Sequence, residues 1–293
     1  MKKIVIILVA ILVLGAVAFS LVACNRATTQ GQLSNFLVDH AEETFEYDVK
    51  NELTNETGTY TVHIKRFQNG ATVEDFLEPI QNVEKGILVR GSLAVGTTVY
   101  ETGCYFNLTS GTSLMVPARS YRVQTENGNE TFRMSGYYDG ATFHYEKVVD
   151  GNTSSGSIKV SGTYFDNNEF HQSLRTVSTY STNFSFAFAV PLVSATENTS
   201  VSLTASCKST EGITTPFTTA LNPENSVNCY RVEVSRSTKV AGKSQILFYA
   251  VDDLKASNSE LTIKHLLVEF REPITHEGDT YYVVYKLKSA TIN

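Results

Sequence analysis

Residues 119–164 read RSYRVQTENGNETFRMSGYYDGATFHYEKVVDGNTSSGSIKVSGTY. Polar and apolar residues alternate in four runs, at 119–126, 130–138, 141–149 and 155–164, which is typical of strands with one buried face. Glu-Asn-Gly-Asn, Tyr-Asp-Gly and Asp-Gly-Asn join the runs, and Asn-Gly and Asp-Gly tolerate the positive φ of tight hairpins. The stretch therefore predicts an antiparallel meander.

Strand-like alternation also precedes this meander. The run that starts at Thr44 and the run at 59–67 each place three apolar residues on one face, which predicts a hairpin with a long loop. These residues are Phe45, Tyr47 and Val49 in the first run and Tyr60, Val62 and Ile64 in the second. Two further strands are predicted at 86–95 and 99–108.

Two segments have a helical pattern. Residues 72–81 (TVEDFLEPIQ) begin with Thr72 as the N-cap and carry acids in the first turn, where they suit the helix dipole. Their apolar stripe consists of Val73, Phe76, Leu77 and Ile80. Asp166 and Glu169 have a capping-box spacing that predicts a second helix over 168–180, with Phe170, Leu174 and Val177 on one side.

The remaining chain is again rich in strand patterns, at 183–195, 200–207, 228–235, 244–249, 261–269 and 280–288. The 15 Tyr and 16 Phe also favour strands. We therefore expect a mainly β fold with about a dozen strands and two or three short helices. No Pro/Gly-rich spacer divides residues 35–293, which predicts a single domain.

The N-terminus carries an export pattern. Met1-Lys2-Lys3 precedes an apolar run that ends at Leu21-Val22-Ala23-Cys24. This ending resembles the lipobox of bacterial lipoproteins. The resemblance implies a signal peptide at 1–23 and a diacylglyceryl group on Cys24. The alternative is that the apolar run remains in the membrane as a helix.

The resemblance also implies a location. Residues 24–34 are polar and suit a lipidated flexible tether. Asn25 is not the Asp that retains lipoproteins at the inner membrane of two-membraned bacteria. We expect an exported domain that the lipid holds at the cell membrane or outer membrane of a bacterium.

The order of elements is similar to that of the LolA/LolB and LppX/LprG lipoprotein families, whose curved antiparallel sheet is a half-open β-barrel closed by helices. The resemblance implies a concave apolar face for acyl chains or another lipid-like ligand. The residues we place on that face, which are equally consistent with plain core, are Phe76, Leu77, Ile80, Phe170, Leu174, Phe184, Phe186 and Phe188. The alternative is a β-sandwich with a filled core.

Charge argues against a nucleic-acid partner. Cleavage before Cys24 would remove two lysines and no acid, which leaves 22 basic against 30 acidic residues and a net charge of −8. Phosphate binding requires clustered Lys and Arg, whereas the basic residues here are scattered.

Three cysteines remain beside Cys24. Cys207 and Cys229 flank a Thr-rich loop between two predicted strands, and in an exported domain we expect them to form a disulfide. Reduced thiols are the alternative. Cys104 follows Gly103 in a predicted strand, which favours a small buried residue over a nucleophile.

No catalytic or metal-binding pattern is found. The chain contains no Gly-x-Ser-x-Gly and no Ser-x-x-Lys, and its six histidines lack the spacing of a zinc site. We therefore expect no cofactor, no metal and no enzymatic activity, a hydrolase being the least supported class. The leading hypothesis is a lipoprotein that binds an apolar ligand. The alternative is an adhesion or envelope-assembly module that binds protein.

Overall fold

The computed structural model describes residues 42–109, 114–177, 180–181, 184–217, 225–236 and 244–293. The predicted signal peptide, Cys24 and the tether lie outside these residues. The strands are β1 Glu42–Asn51, β2 Thr57–Phe67, β3 Gly86–Val95, β4 Thr98–Thr109, β5 Leu114–Glu126, β6 Asn129–Asp139, β7 Thr142–Val149, β8 Asn152–Lys159, β9 Ser185–Val193, β10 Asn198–Thr214, β11 Ser226–Arg236, β12 Gln245–Ala250, β13 Leu254–Lys255, β14 Thr262–Ile263, β15 Leu267–His276 and β16 Asp279–Ile292. The helix α1 spans Phe170–Ser173, and a 3-10 turn follows at Leu174–Thr176.

Fourteen of these strands form one antiparallel sheet. Its order is β8-β7-β6-β5-β4-β3-β2-β1-β16-β15-β12-β11-β10-β9. Two meanders therefore meet where the first strand pairs with the last, with Phe45 opposite Ala290 and Tyr47 opposite Leu287. The strands β13 and β14 form a separate two-stranded ribbon.

The two edge strands, β8 and β9, approach each other and nearly close the sheet into a barrel. Ile158 and Val160 share a small apolar cluster with Ala189 and Val193. The free edge of β9 is also covered, because Ala189 exchanges two backbone hydrogen bonds with residues 163–165. The Lys147 ammonium spans the seam and donates to the Ser194 carbonyl oxygen at 2.6 Å.

Tight hairpins cluster at one end of the barrel, which we call the mouth. The hairpins β1–β2, β3–β4, β5–β6, β7–β8, β9–β10 and β15–β16 all turn there. Asn127-Gly128 and Asp150-Gly151 adopt positive φ at both positions, as their sequence predicts. The meander predicted from residues 119–164 is therefore confirmed.

The opposite end of the barrel is closed by packing. After β8 the chain enters the barrel, and residues 160–177, which we call the internal segment, carry α1 and the 3-10 turn. Leu174 is fully buried in the main core together with Phe45, Ile64, Phe106 and Leu287. The internal segment fills this closed end and leaves the mouth end less packed.

The predicted helix over 72–81 is wrong. These residues form turns and bends, and Val73 and Ile80 pair in one isolated antiparallel bridge. Pro79 cannot donate a backbone hydrogen bond, and a ten-residue helix has little stability of its own. The loop instead lies on the outer face of the sheet, where Val73 packs with Phe67 and Leu88.

The second predicted helix, over 168–180, is shorter than expected. Regular structure begins at Phe170 and ends at Thr176, and the next residue, Val177, is extended with φ of −59° and ψ of 120°. The described residues thus hold one short α-helix rather than two or three. The mainly antiparallel β fold is confirmed, and the β-sandwich is wrong because these strands form one continuous sheet. None of the described helices is long and apolar enough to cross a bilayer.

Candidate functional site in the barrel hollow

The mouth end of the barrel encloses a cavity of about 620 Å³, which we call the hollow. Inward-facing residues of β1–β6, β12, β15 and β16 line it, and the start of α1 forms its floor. A second cavity of about 470 Å³ adjoins it on the side of β9–β11. The two cavities share Asn167, Phe170, Gln245 and Glu272, so the internal segment separates them only in part.

Aromatic rings form one wall of the hollow. Phe270 and Tyr285 stack with ring centroids 3.9 Å apart, and Tyr60 meets both rings edge to face at 5.9 and 5.6 Å. The His171 ring stacks on Phe270 at 5.2 Å. Gly91 makes room for this arrangement, since a Cβ there would lie 2.8 Å from the Tyr60 hydroxyl oxygen.

A guanidinium lines the hollow on β5. The Nε and Nη2 atoms of Arg122 donate to Asn168 Oδ1 at 3.1 and 2.8 Å. Asn168 is itself fixed, because its Nδ2 donates to Ser120 Oγ at 2.8 Å. Burial lowers the pKa of Arg122, and the carboxylates of Asp166 and Glu272 oppose that shift. The side chain is thus held in place by the internal segment.

A carboxyl group on β15 faces the same space. The Tyr285 hydroxyl donates to Glu272 Oε2 at 3.1 Å. Burial raises the pKa of Glu272, while that hydrogen bond and the Arg122 charge lower it. Within the described part of the chain, no ion pair joins Arg122 to Glu272. The hollow therefore holds a guanidinium and a carboxyl group that are each hydrogen-bonded to another side chain and not to each other.

Buried polar contacts fasten the internal segment below the hollow. The Tyr138 hydroxyl donates to Asp166 Oδ2 at 2.6 Å, and Asp166 Oδ1 accepts from the Asn168 backbone N–H. One turn further, the Ser173 hydroxyl donates to Glu169 Oε2 at 2.6 Å. Burial raises the pKa of both carboxyl groups. These contacts set the position of Asn168 and hence of Arg122.

His171 lies on the floor of the hollow and is neutral at neutral pH. Its Nε2 lies 3.3 Å from Gln245 Oε1, and its backbone carbonyl accepts from the Tyr249 hydroxyl at 2.6 Å. Burial lowers the pKa of the imidazole to about 4, and the contact with Gln245 only partly opposes this. A neutral ring suits the aromatic stack with Phe270.

We expect His171 to make the protein less stable in acid. The unfolded chain binds a proton near pH 6.5, whereas the folded imidazole binds it only near pH 4, so stability falls as pH falls through this window. The difference corresponds to about 3 kcal/mol. In urea unfolding, the free energy of unfolding of His171→Gln relative to that of wild type should rise by about 3 kcal/mol as the pH is lowered from 7 to 4. The comparison is needed because Asp166 and Glu169, whose pKa values are raised, contribute in the opposite direction.

The structure separates the residues predicted for the concave face. Phe170 lines both cavities. Leu174, Phe186 and Phe188 are buried in the main core, and Phe184 packs against it. Phe76, Leu77 and Ile80 lie on the opposite, outer face, which corrects their predicted place on the concave face. That helix is absent, and the three residues instead line an outer cleft of about 510 Å³ with Arg119, Tyr137 and His144.

Sequence reasoning missed the charged residues of the hollow. Alternation on β5 suggests that Tyr121 and Val123 face the core, but Ser120, Arg122 and Gln124 face inward instead. Tyr121 can face outward because Phe76 of the outer loop covers its ring at a centroid distance of 4.8 Å. A polar residue on the same face as Phe132 and Met134 of the next strand is the signal that could have found Arg122.

The predicted disulfide is not formed. Cys207 lies opposite Val232, and Cys229 lies three positions further along β11, so the two side chains point to opposite faces of the sheet. That offset is about 10 Å along the strand, beyond the Cα separation of about 7 Å that a disulfide spans. Cys104 is fully buried in the main core, as predicted, and burial raises the pKa of its thiol.

Among the described residues, no group of three His, Cys, Asp or Glu side chains could hold a metal ion. The arrangement in the hollow can bind a ligand by apolar contact, by stacking and by charge.

No protein-family model and no curated protein sequence matches the chain. Among solved structures, it is similar to a β-barrel-like protein of the domain of unknown function DUF1849 from Brucella abortus. That similarity has 8% sequence identity and a TM-score of 0.49, and it covers 87% of this chain and 98% of the other. A porin-like protein from Bacteroides uniformis has 9% identity over the same coverages, with a TM-score of 0.24. Neither similarity carries an argument about function.

Proposed function

We propose that this chain is a lipid-anchored exported protein that binds an apolar, lipid-like ligand in the hollow of its barrel and catalyses no reaction. The observation that carries the proposal is a barrel packed at one end and hollow at the other. Its cavities of about 620 and 470 Å³ fall in the range of small-molecule sites. Apolar and aromatic side chains line them together with polar ones, and placed polar groups fix the orientation of a ligand in such sites.

The smaller cavity suits an acyl chain. The part of its lining on β9 and β10 is apolar and consists of Val190, Leu192, Val201 and Leu203. Polar residues, among them Arg236, Gln245 and Glu272, complete the lining. Covering apolar surface stabilises a complex by about 25 cal/mol per Å². A hydrocarbon chain placed along β9 and β10 would cover the half-buried Leu192 and Val201 and would lie against the packed core.

The proposal is tested by ligand uptake. We expect the full chain with Cys24→Ser, which lacks the anchor, to release bound lipid on organic extraction and then to take up a fluorescent fatty acid. Leu93→Trp adds volume inside the hollow and should reduce that uptake at least tenfold. Thr59→Trp, on the outward face of the neighbouring strand, is the matched control and should leave uptake unchanged.

Two results would contradict the proposal. If correctly folded protein neither releases lipid nor takes up fatty acid, it does not bind an apolar ligand. Equal uptake by both Trp variants would mean that the ligand binds outside the hollow. The anchor is checked in the same host by metabolic labelling with palmitate. The label should be lost in Cys24→Ser, and its persistence would contradict a lipid on that residue.

A further inference from the structure

The hollow contains a separated pair of opposite charges, and this pair limits which ligands fit it. Arg122 on β5 and Glu272 on β15 both line the same cavity. Two opposite charges in a poorly solvated space attract strongly, and pairing is the usual way to offset their desolvation. Here each is held by a different neutral partner, Asn168 for the guanidinium and Tyr285 for the carboxyl group.

Each charge retains capacity for a ligand. The Arg122 hydrogen bonds use Nε and Nη2, and Nη1 makes no hydrogen bond within the described part of the chain. A guanidinium of this kind recognises phosphate or carboxylate oxygens. Glu272 accepts a hydrogen bond at Oε2, and its Oε1 accepts none from the described residues. That oxygen can accept from a cationic group.

The rings beside Glu272 favour a cation as well. Tyr60, Phe270 and Tyr285 form a contiguous aromatic cluster, and the Tyr285 hydroxyl touches the carboxyl group directly. Aromatic ring faces attract ammonium groups, most strongly in a desolvated site. Tyr285 and His171 already stack on Phe270, so the rings that can contact the ammonium group are Tyr60 and Tyr285. The carboxyl group and the ring cluster therefore form one cation-binding side of the hollow, with the guanidinium on another strand as the anion-binding side.

We propose that the hollow recognises a zwitterionic headgroup, with a phosphate on Arg122 and an ammonium group between Glu272 and the aromatic cluster. This inference rests on the proposed function, because the smaller cavity along β9 and β10 would take the attached chain. A ligand with both charges satisfies both side chains at once. A ligand with one charge engages only one of these two half-buried side chains.

The test measures calorimetric binding to the full chain with Cys24→Ser. The probes are octanoyl lysophosphatidylethanolamine, octanoyl lysophosphatidylglycerol, monooctanoylglycerol and chain-free glycerophosphoethanolamine. We expect the zwitterionic lysolipid to bind at least tenfold more tightly than either of the other amphiphiles. Glu272→Gln should reduce the affinity for the zwitterionic lysolipid to that for lysophosphatidylglycerol.

Variants at the anion-binding side complete the design. Arg122→Gln should weaken both phosphate-containing lysolipids at least tenfold and leave monooctanoylglycerol unchanged. Arg122→Lys retains the charge and should retain the preference for phosphate, which separates recognition from a folding defect. Arg119→Gln, on the outward face of the same strand, is the matched control and should change nothing.

The outcomes distinguish the two proposals. Equal affinity for all three amphiphiles would overturn zwitterion recognition and leave apolar binding intact. Glycerophosphoethanolamine that binds as tightly as its lysolipid would support the headgroup site and contradict the apolar ligand. Failure of every probe to bind the folded protein would overturn both.

Discussion

Replacing Arg175 by Met is expected to destabilise the protein by about 3–5 kcal/mol, because it leaves a buried carboxylate without its counterion. The Arg175 side chain is 0% exposed, and its Nη1 lies 3.1 Å from Glu43 Oε2, whose side chain is 4% exposed. The guanidinium also lies 4.9 Å from the Phe45 ring and donates to the Lys264 carbonyl oxygen. It thus joins the internal segment to the first strand and closes the end of the barrel.

Urea unfolding checks this expectation, with the slope of the transition confirming that the unfolded states are comparable. The double variant Glu43→Leu/Arg175→Met should recover much of the loss, since it removes both buried charges. Arg133→Met breaks an exposed pair with Glu130 and should cost less than about 1 kcal/mol. A loss of less than 1 kcal/mol in Arg175→Met would show that the buried pair does not hold the closed end.

A second large effect is expected from Leu174→Ala. Its comparison with Leu192→Ala distinguishes residues of the packed core from residues that line the ligand cavity. Leu174 is 0% exposed on the internal segment, and its replacement by Ala should cost about 3–5 kcal/mol through lost burial and the cavity that remains. Leu192→Ala, on the apolar wall of the smaller cavity, leaves space that is already open. We expect it to cost less than about 1.5 kcal/mol and to weaken fatty-acid uptake.

The pair is informative because the two substitutions remove the same atoms. Thermal or urea unfolding gives the stability difference, and fatty-acid titration gives the uptake of the variant that remains folded. Equal destabilisation by both would mean that the smaller cavity is part of the packed core. Leu174→Ala with full stability would mean that the internal segment is not anchored in the barrel.

The pairing of strands within a hairpin was predictable because residues close together in the chain determine it. Phe45 and Tyr47 lie opposite Val62 and Tyr60, as the alternation and the intervening loop predict. The turns at Asn127-Gly128 and Asp150-Gly151 needed only residues that tolerate positive φ. In both cases the deciding interaction spans a single hairpin.

Prediction failed where a distant contact outweighed the local pattern. Residues 72–81 have the apolar stripe of a helix, but Val73 is instead buried against the sheet beside Phe67 and Leu88. This tertiary contact outweighs the local helix preference. The same loop covers Tyr121 from outside, which allows Arg122 to face inward. Neither outcome can be read from the segment concerned, because each depends on what packs against it.

The amino-acid pattern by itself determined a mainly antiparallel β protein, its tight hairpins and an N-terminal stretch that resembles a lipobox, since each of these depends on residues close together in the chain. Tertiary structure alone decided that the first strand pairs with the last and that the internal segment fills only one end of the barrel. It also brought Arg122 and Glu272 from distant strands to one cavity. The physical reason is that closure and burial are long-range contacts, so the hollow exists only when the whole sheet has formed.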